Sequence, residues 1–364
     1  METPLPIDLF YELSLPPFDD RDEQTLFQET LEEWVLADEL GYHGAWVVEH
    51  HFMPGYAHSS APEVFLGAAA ARTRRLRLGH AIVPLPYHHP VQVAERLATL
   101  DLISGGRVEF GFGRGFSPKE YQTFGIPMEE SRSRTEESLE ILRAFFQQPR
   151  VNHRGRHFHL HDLVIVPRPL QQPHPPLWMA AVSPESFEIA ARLGVGALAG
   201  PFKPWFMVRE DIRRYQAAWA EHPPPPSEGS QRAVAMTVGI YCHQDRHQAR
   251  RLSKRAIEWF YGNLLNQTAP ILERLYAGYE YYRKMAPAHR LFRHAVHLRA
   301  LEALGMVIVG DPEHCRRRLQ ALIDDGVDRL LLAVGAGAMP SSQVRDALRL
   351  LAHEVLPRLR PRSP

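Results

Sequence analysis

An α/β barrel of eight parallel strands is the fold this sequence predicts, and three observations predict it. Short apolar runs alternate with longer helical patterns along the chain, the pattern left by strand–helix units wrapped around a parallel sheet. The 364 residues, 45% of them hydrophobic, suffice for one large core or two ordinary ones. The alternation resumes after every interruption, which favours a single (β/α)₈ domain over residues 1–364 rather than two domains.

The first strand is residues 7–13. The helix over 23–40 sets Leu26, Phe27, Leu31, Trp34, Val35 and Leu40 at helical spacing and stops at Gly41. Strands follow at 45–48, 76–83 and 108–113, separated by helices at 64–72 and 91–103. A helix over 129–147 leads into 150–172, a His- and Pro-rich stretch read as an excursion from the barrel. The fifth strand is 177–181 with its helix at 184–193, and the sixth is the weak run 196–198. The helix over 204–221 ends before Pro223, Pro224, Pro225 and Pro226, which lack amide donors and make a surface loop. Strand seven is 234–241 and its helix 246–265; residues 266–303, with Tyr276, Tyr279, Tyr281 and Tyr282, are expected to form a helical, lid-like insertion. A helix at 312–325, the eighth strand at 329–334 and a helix at 341–356 close the ring, and the Arg-rich 358–364 reads as a frayed tail.

Composition narrows the function. Forty-two basic residues balance forty-two acidic ones, so no field favours nucleic acid or an anionic membrane. Cys242 and Cys315 are the two cysteines; they make no disulfide framework and no cluster for zinc or iron–sulfur, so no metal is expected, and they suit a reducing cytoplasm. No segment approaches the roughly 18–20 apolar residues of a membrane span, and the first residues lack a basic, apolar leader pattern.

Active sites of such barrels gather at the C-terminal ends of the strands, and four ends are unusual. The second strand runs into Glu49, His50, His51 and Phe52; a histidine there can exchange a proton near neutral pH, although a lone strand-end histidine is more often a hydrogen-bonding cap. The third passes His80, Ala81 and Ile82 before Pro84, small and apolar residues that suit a flat ligand and equally an ordinary core. The fourth ends in Gly111, Phe112, Gly113, Arg114 and Gly115. Its glycines permit close backbone approach and Arg114 suits a phosphate. As a dinucleotide fingerprint the stretch is poor, because the spacing is wrong and no helix begins at once. After the fifth strand, Ser183 is a good N-cap with Pro184 and Ser186 behind it, so free amides and a helix N-terminus are expected to face the barrel mouth beside Arg114; the alternative is a plain helix cap.

At these residues the sequence resembles the bacterial luciferase-like flavin monooxygenases, in the luciferase α-subunit branch. The resemblance rests on the stretches 44–52, 81–90 and 104–115, on Phe124, Gly125, Ser131 and Arg132, and on 310–313 through Val327 and Asp328. It implies a barrel that takes reduced FMN from a separate flavin reductase, reacts it with O₂ through a C4a-peroxyflavin, and oxidises a small organic substrate, as a homodimer. His50 matches the family's proton-transfer histidine. Cofactor contacts carry over to Glu49, Phe116, Ala181 and Val182, to Ala81 and Ile82, whose peptide bond matches a non-proline cis bond under the flavin ring, and, for the phosphate, to Arg114, Arg132, Ser183 and Ser186. The chain departs from luciferase in having Gly113 for a reactive cysteine, Val182 for a glutamate and Ser117 for an aromatic, so light emission and the substrate do not transfer. Two other readings compete: a deazaflavin-dependent oxidoreductase of the same superfamily, and a flavin-binding subunit without turnover.

Overall fold

The computed structural model describes residues 5–200, 202–225, 229–278 and 296–362. Its strands are β1 (Ile7–Tyr11), β2 (Gly44–Val47), β3 (Arg77–Pro84), β4 (Val108–Gly113), the pair β5 (Val151–Arg154) and β6 (His159–Leu163), then β7 (Leu177–Ala181), β8 (Gly196–Ala199), β9 (Val234–Cys242), β10 (Val307–Gly310) and β11 (Arg329–Ala333). Parallel ladders link β1, β2, β3, β4, β7, β8, β9 and β11 in that order, and β11 pairs back to β1, with Leu9 opposite Leu332 on one side and Ala45 on the other. The ring is thus closed, and its eight strands are the eight that the alternation predicts. The excursion over 150–172 holds the antiparallel β5–β6 hairpin, outside the ring.

The helices are α1 (Glu23–Leu40), α2 (Pro62–Arg72), α3 (Pro90–Ser104), α4 (Pro118–Thr123), α5 (Ser131–Gln147), α6 (Pro184–Arg192), α7 (Trp205–Glu221), α8 (Arg246–Gly278), α9 (Leu298–Ala303), α10 (Pro312–Asp324) and α11 (Ser341–Leu350). Asp22 caps α1 by accepting from Thr25 N–H, and Gly41 ends it at φ 84°, the left-handed conformation a terminal glycine supplies. The inner sides of these helices bury Trp34, Phe65, Leu66, Phe145 and Ile212 against the ring.

Several expectations are corrected. The first strand stops at Tyr11 rather than residue 13, because Leu13 takes φ 53° and leaves the extended region. The helical insertion expected over 266–303 needs no correction where it is described, α8 running on to Gly278 and α9 following at Leu298–Ala303; Tyr279, Tyr281 and Tyr282 lie outside the described residues. A further strand, β10, pairs with the C-terminal half of β9. The tail does not fray up to residue 362: Leu359 is buried and Arg360 N–H donates to Gln320 at 2.9 Å.

The N-terminal end of the ring is filled. Trp46, Trp178, Leu198, Ala235 and Leu331 pack inside it, and the Arg329 guanidinium lies 5.1 and 5.3 Å from the Trp46 and Trp178 rings. Arg329 reaches Asp8 at 2.6 Å and Glu109 at 3.1 Å. Trp46 and Trp178 donate to the same carboxylates at 2.5 and 2.7 Å, while Arg77 pairs with Glu109 and His43 with Asp8. Burial pushes the Asp8 carboxyl up, but Arg329, His43 and Trp46 outweigh it and hold it below the usual carboxylate range. Two carboxylates thus meet two guanidiniums in the floor, with Asp8, Glu109 and Arg329 buried and Arg77 at its outer edge. The opposite end stays open.

Candidate active site

A cavity occupies that open end. About 270 Å³ of it admits the centre of a water molecule, against the ~10–15 Å³ one water needs, so it accommodates an organic ligand. Its lining joins Glu12 after β1, Glu49 and His50 after β2, Ala81 and Ile82 in β3, Gly113 at the end of β4 with Arg114 to Phe116 beyond it, Val182, Ser183 and Ser186 around the start of α6, and Arg132 from α5. Residues far apart in sequence therefore share one chamber.

The floor beneath the ligand space depends on two glycines. A Cβ on Gly111 would lie 2.0 Å from the His80 carbonyl oxygen, and one on Gly113 2.9 Å from Ile82 Cδ1 and 3.1 Å from Ala180 Cβ. The side-chain-free edge of β4 lets β3 approach, and the Ala81–Ile82 peptide bond there is cis. Ala81 and Ile82 present an apolar platform to the cavity.

His50 sits between two carboxylates. Its Nδ1 is 3.7 Å from Glu120 Oε1 and its Nε2 3.8 Å from Glu12 Oε2. Those separations exceed hydrogen bonds but hold strong attraction at a buried site. Burial opposes protonation of the ring, yet Glu120, Glu12 and Glu49 outweigh it and raise its pKa above the ordinary value. Glu120 is fixed by accepting from His51 N–H at 2.7 Å and from Tyr87 Oη at 3.0 Å. Ser117 and Pro118 explain its position: the serine caps α4, the proline starts it, and the third residue of that short helix is Glu120. Burial raises the Glu12 carboxyl above its usual range, against the pull of His50 and Tyr56. Glu49 differs, because hydrogen bonds from His51 at 3.0 Å and His88 at 2.6 Å overcome burial and lower its pKa. The Phe116 ring stands edge-on to His50 at 5.1 Å.

The other side of the chamber is an anion cradle. Ser183 caps α6, Pro184 begins it, and the Ser183 and Ser186 side chains form a reciprocal capping box. The amides are not free as the sequence suggests: Val182 and Ser183 N–H donate to Ser186 Oγ at 3.0 and 2.9 Å, and Ser186 N–H donates to Ser183 Oγ at 3.2 Å. A bound anion would replace hydroxyl acceptors with a stronger one. Arg114 is exposed, and among the described residues its guanidinium has no hydrogen bond or ion pair. Arg132 is neutralised instead, at 3.0 Å from Glu136 and 2.8 Å from Glu185.

Of the residues singled out from sequence, His50, Glu49, Ala81, Ile82, Arg114, Phe116, Arg132, Val182, Ser183 and Ser186 all line this cavity. Ala181 does not: its side chain packs in the core between ring and helices. Sequence reasoning missed Glu12, Glu120 and Lys203. Glu12 was hidden by the strand boundary: a strand read through residue 13 buries it in the run, and only the end of β1 at Tyr11 makes it a strand-end carboxylate. Glu120 meets His51 across 69 residues of sequence, a contact that spacing does not reveal. Lys203 reaches back from beyond β8 to donate to the Val182 carbonyl at 2.8 Å while pairing with Asp211. Among the described residues no group of three or more His, Cys, Asp or Glu side chains is placed to hold a metal, and no helix is long and apolar enough to cross a membrane.

The comparisons agree with this fold. The solved structure of monooxygenase RslO1 from Streptomyces bottropensis superposes with TM-score 0.80 and 30% identity over 96% of this chain and 98% of that one. The oxygenase component of a flavin-dependent trigonelline monooxygenase from Acinetobacter baylyi is 33% identical over 187 residues, 50% of this chain and 51% of that protein. An F420-dependent glucose-6-phosphate dehydrogenase from Amycolatopsis mediterranei is 26% identical over 341 residues, 92% of this chain and 95% of that protein. For several of the curated relatives it matches, the chain spans about half their length. The profile of the luciferase-like monooxygenases covers residues 13–329, and the chain belongs to that family.

Proposed function

We propose that the protein is an FMN-dependent monooxygenase that oxidises a small organic substrate with O₂. The observation that carries the reading is the meeting, in one cavity at the C-terminal ends of the strands, of an unpaired arginine beside a capped helix N-terminus with a histidine held between carboxylates. The donor set fits FMN: Arg114 and the amides around Ser183 suit a phosphate, and the Gly113–Ile82 approach leaves a flat apolar platform for a ring system. Reduced FMN would supply the electrons that activate dioxygen. Arg114, Ser183 and Ser186 bind and orient, His50 holds a proton at Nε2, and the apolar walls exclude water. Glu49 braces the mouth by accepting from His51 and His88 at Oε1, while its Oε2, without a hydrogen-bond partner among the described residues, is left to meet the ring system.

A separate reductase supplying reduced flavin is part of this reading, as the printed name of the trigonelline relative suggests. So are a single catalytic domain, a homodimer and a reducing cytoplasm. The dehydrogenase relative favours a second reading, hydride transfer with a deazaflavin. Titrating the protein with FMN and with the deazaflavin separates the two, and O₂ consumption on adding reductase-supplied FMNH₂ and candidate substrates tests turnover. Tight deazaflavin binding without FMN binding overturns the first reading.

A further inference from the structure

Across the ring from the anion cradle the cavity ends in different chemistry. In ring order β1 and β7 are the first and fifth of eight strands and stand opposite one another. Ser183 follows β7, and Glu12 is the first residue after β1. The Glu12 side chain is 10% exposed. Its Oε1 accepts from the Tyr56 hydroxyl at 3.2 Å, whereas Oε2 is buried with no hydrogen-bond partner among the described residues. Around it Tyr56 stacks on Phe260 at 5.8 Å and 16°, and Phe10 and Phe116 complete an aromatic wall.

A carboxylate oxygen left without a donor in such surroundings is costly, and a ligand that supplies the donor recovers that cost. The gap of 3.8 Å between Glu12 Oε2 and His50 Nε2 is too wide for a direct hydrogen bond. It admits one hydroxyl or N–H group within about 2.8 Å of both atoms. We propose that Glu12 is the substrate-recognition residue, accepting a hydrogen bond from a hydroxyl or N–H on a flat, largely apolar substrate that rests against the Tyr56, Phe260 and Phe116 rings. The proposal deepens the flavin reading and rests on it for the use of the rest of the cavity. It places the substrate's polar end beside His50, on the side of the chamber away from the phosphate.

The test compares 4-ethylphenol, 4-ethylaniline and 4-ethylanisole as probes, by ligand-observed NMR on the full chain with and without saturating FMN. The expected result is that a donor probe binds at least about tenfold tighter than the anisole to the wild-type protein. Tighter phenol identifies a hydroxyl as the recognised group, and tighter aniline an N–H; either supports the assignment. The ratio is expected to fall below about threefold in Glu12→Ala and to lie between in Glu12→Gln. A wild-type ratio near one for both donors overturns the proposal without any variant. So does a ratio that survives Glu12→Ala, the outcome expected if Glu12 serves His50 alone. Absence of FMN binding sinks the flavin reading, while the ratio in the unloaded protein still decides Glu12.

Discussion

Replacing Arg114 with alanine separates the phosphate of FMN from everything else the cavity offers. Among the described residues the Arg114 guanidinium has no partner to release, whereas Arg132 is held by Glu136 at 3.0 Å and Glu185 at 2.8 Å. A charge-assisted hydrogen bond contributes about 1.5–3 kcal/mol, and solvent at this exposed side chain places the contribution near the lower end, roughly 1.5–2 kcal/mol. At 1.4 kcal/mol per decade, Arg114→Ala is expected to weaken FMN binding about 10- to 30-fold. Arg132→Ala trades a phosphate contact for the release of two exposed pairs worth ~0–1 kcal/mol each, so its effect is expected below about fivefold. The assay is fluorescence titration with FMN and with riboflavin, which lacks the phosphate, at low and moderate salt. Riboflavin affinity should not follow the Arg114 change, and the FMN penalty should shrink as salt rises. Equal weakening of riboflavin by Arg114→Ala, or a larger effect from Arg132→Ala, refutes the assignment of the unpaired arginine to the phosphate.

Four further outcomes follow from the same geometry. His50→Ala is expected to lower turnover by about 10²- to 10⁴-fold with little change in FMN affinity; a parallel loss of both contradicts a proton-handling role. By NMR, His50 should titrate above its unperturbed ~6.5 and move down in Glu120→Gln. The stability its protonation contributes is then full below the unfolded value and lost as pH rises through the folded one, so a wild-type minus His50→Gln stability difference that grows with rising pH would be inconsistent with the raised value. Gly111→Ala drives a Cβ against the His80 carbonyl oxygen and should cost at least ~1–3 kcal/mol in denaturant unfolding, whereas an unchanged midpoint means the two strands are not that close. Arg329→Met removes the cation that Asp8 and Glu109 share, leaving them His43 with Trp46 and Arg77 with Trp178, for an expected loss of up to ~3–5 kcal/mol; near-wild-type stability would show that those remaining partners compensate both carboxylates.

The ring of strands was legible because each strand is buried on both faces and so reads as a short apolar run, as in Leu330, Leu331 and Leu332. The chemistry at the strand ends was legible for a related reason: Glu49, His50 and Arg114 interrupt such runs where the fold leaves an opening. What stayed hidden depends on partners distant in sequence. Glu120 is meaningful only once α4 brings it under His51, and nothing local distinguishes Asp8, Glu109 and Arg329 from surface charges until the barrel closes around them. The amides near Ser183 show the limit of local reasoning from the other side: the capping pattern was readable, but the same serines that mark the helix start also occupy its donors. The Ala181 side chain faces the core rather than the cavity because neighbouring residues of one strand point to opposite sides, a register that the sequence pattern does not reveal for so short a run.

The tryptophan and ion-pair floor at the N-terminal end makes the barrel a blind vessel. With Trp46, Trp178 and Arg329 closing the base, molecules pass in and out by the same rim. Whatever lodges at greater depth departs only after whatever lies above it, so the order of loading sets the order of release, and a bulky occupant near the rim doubles as a stopper for anything trapped beneath.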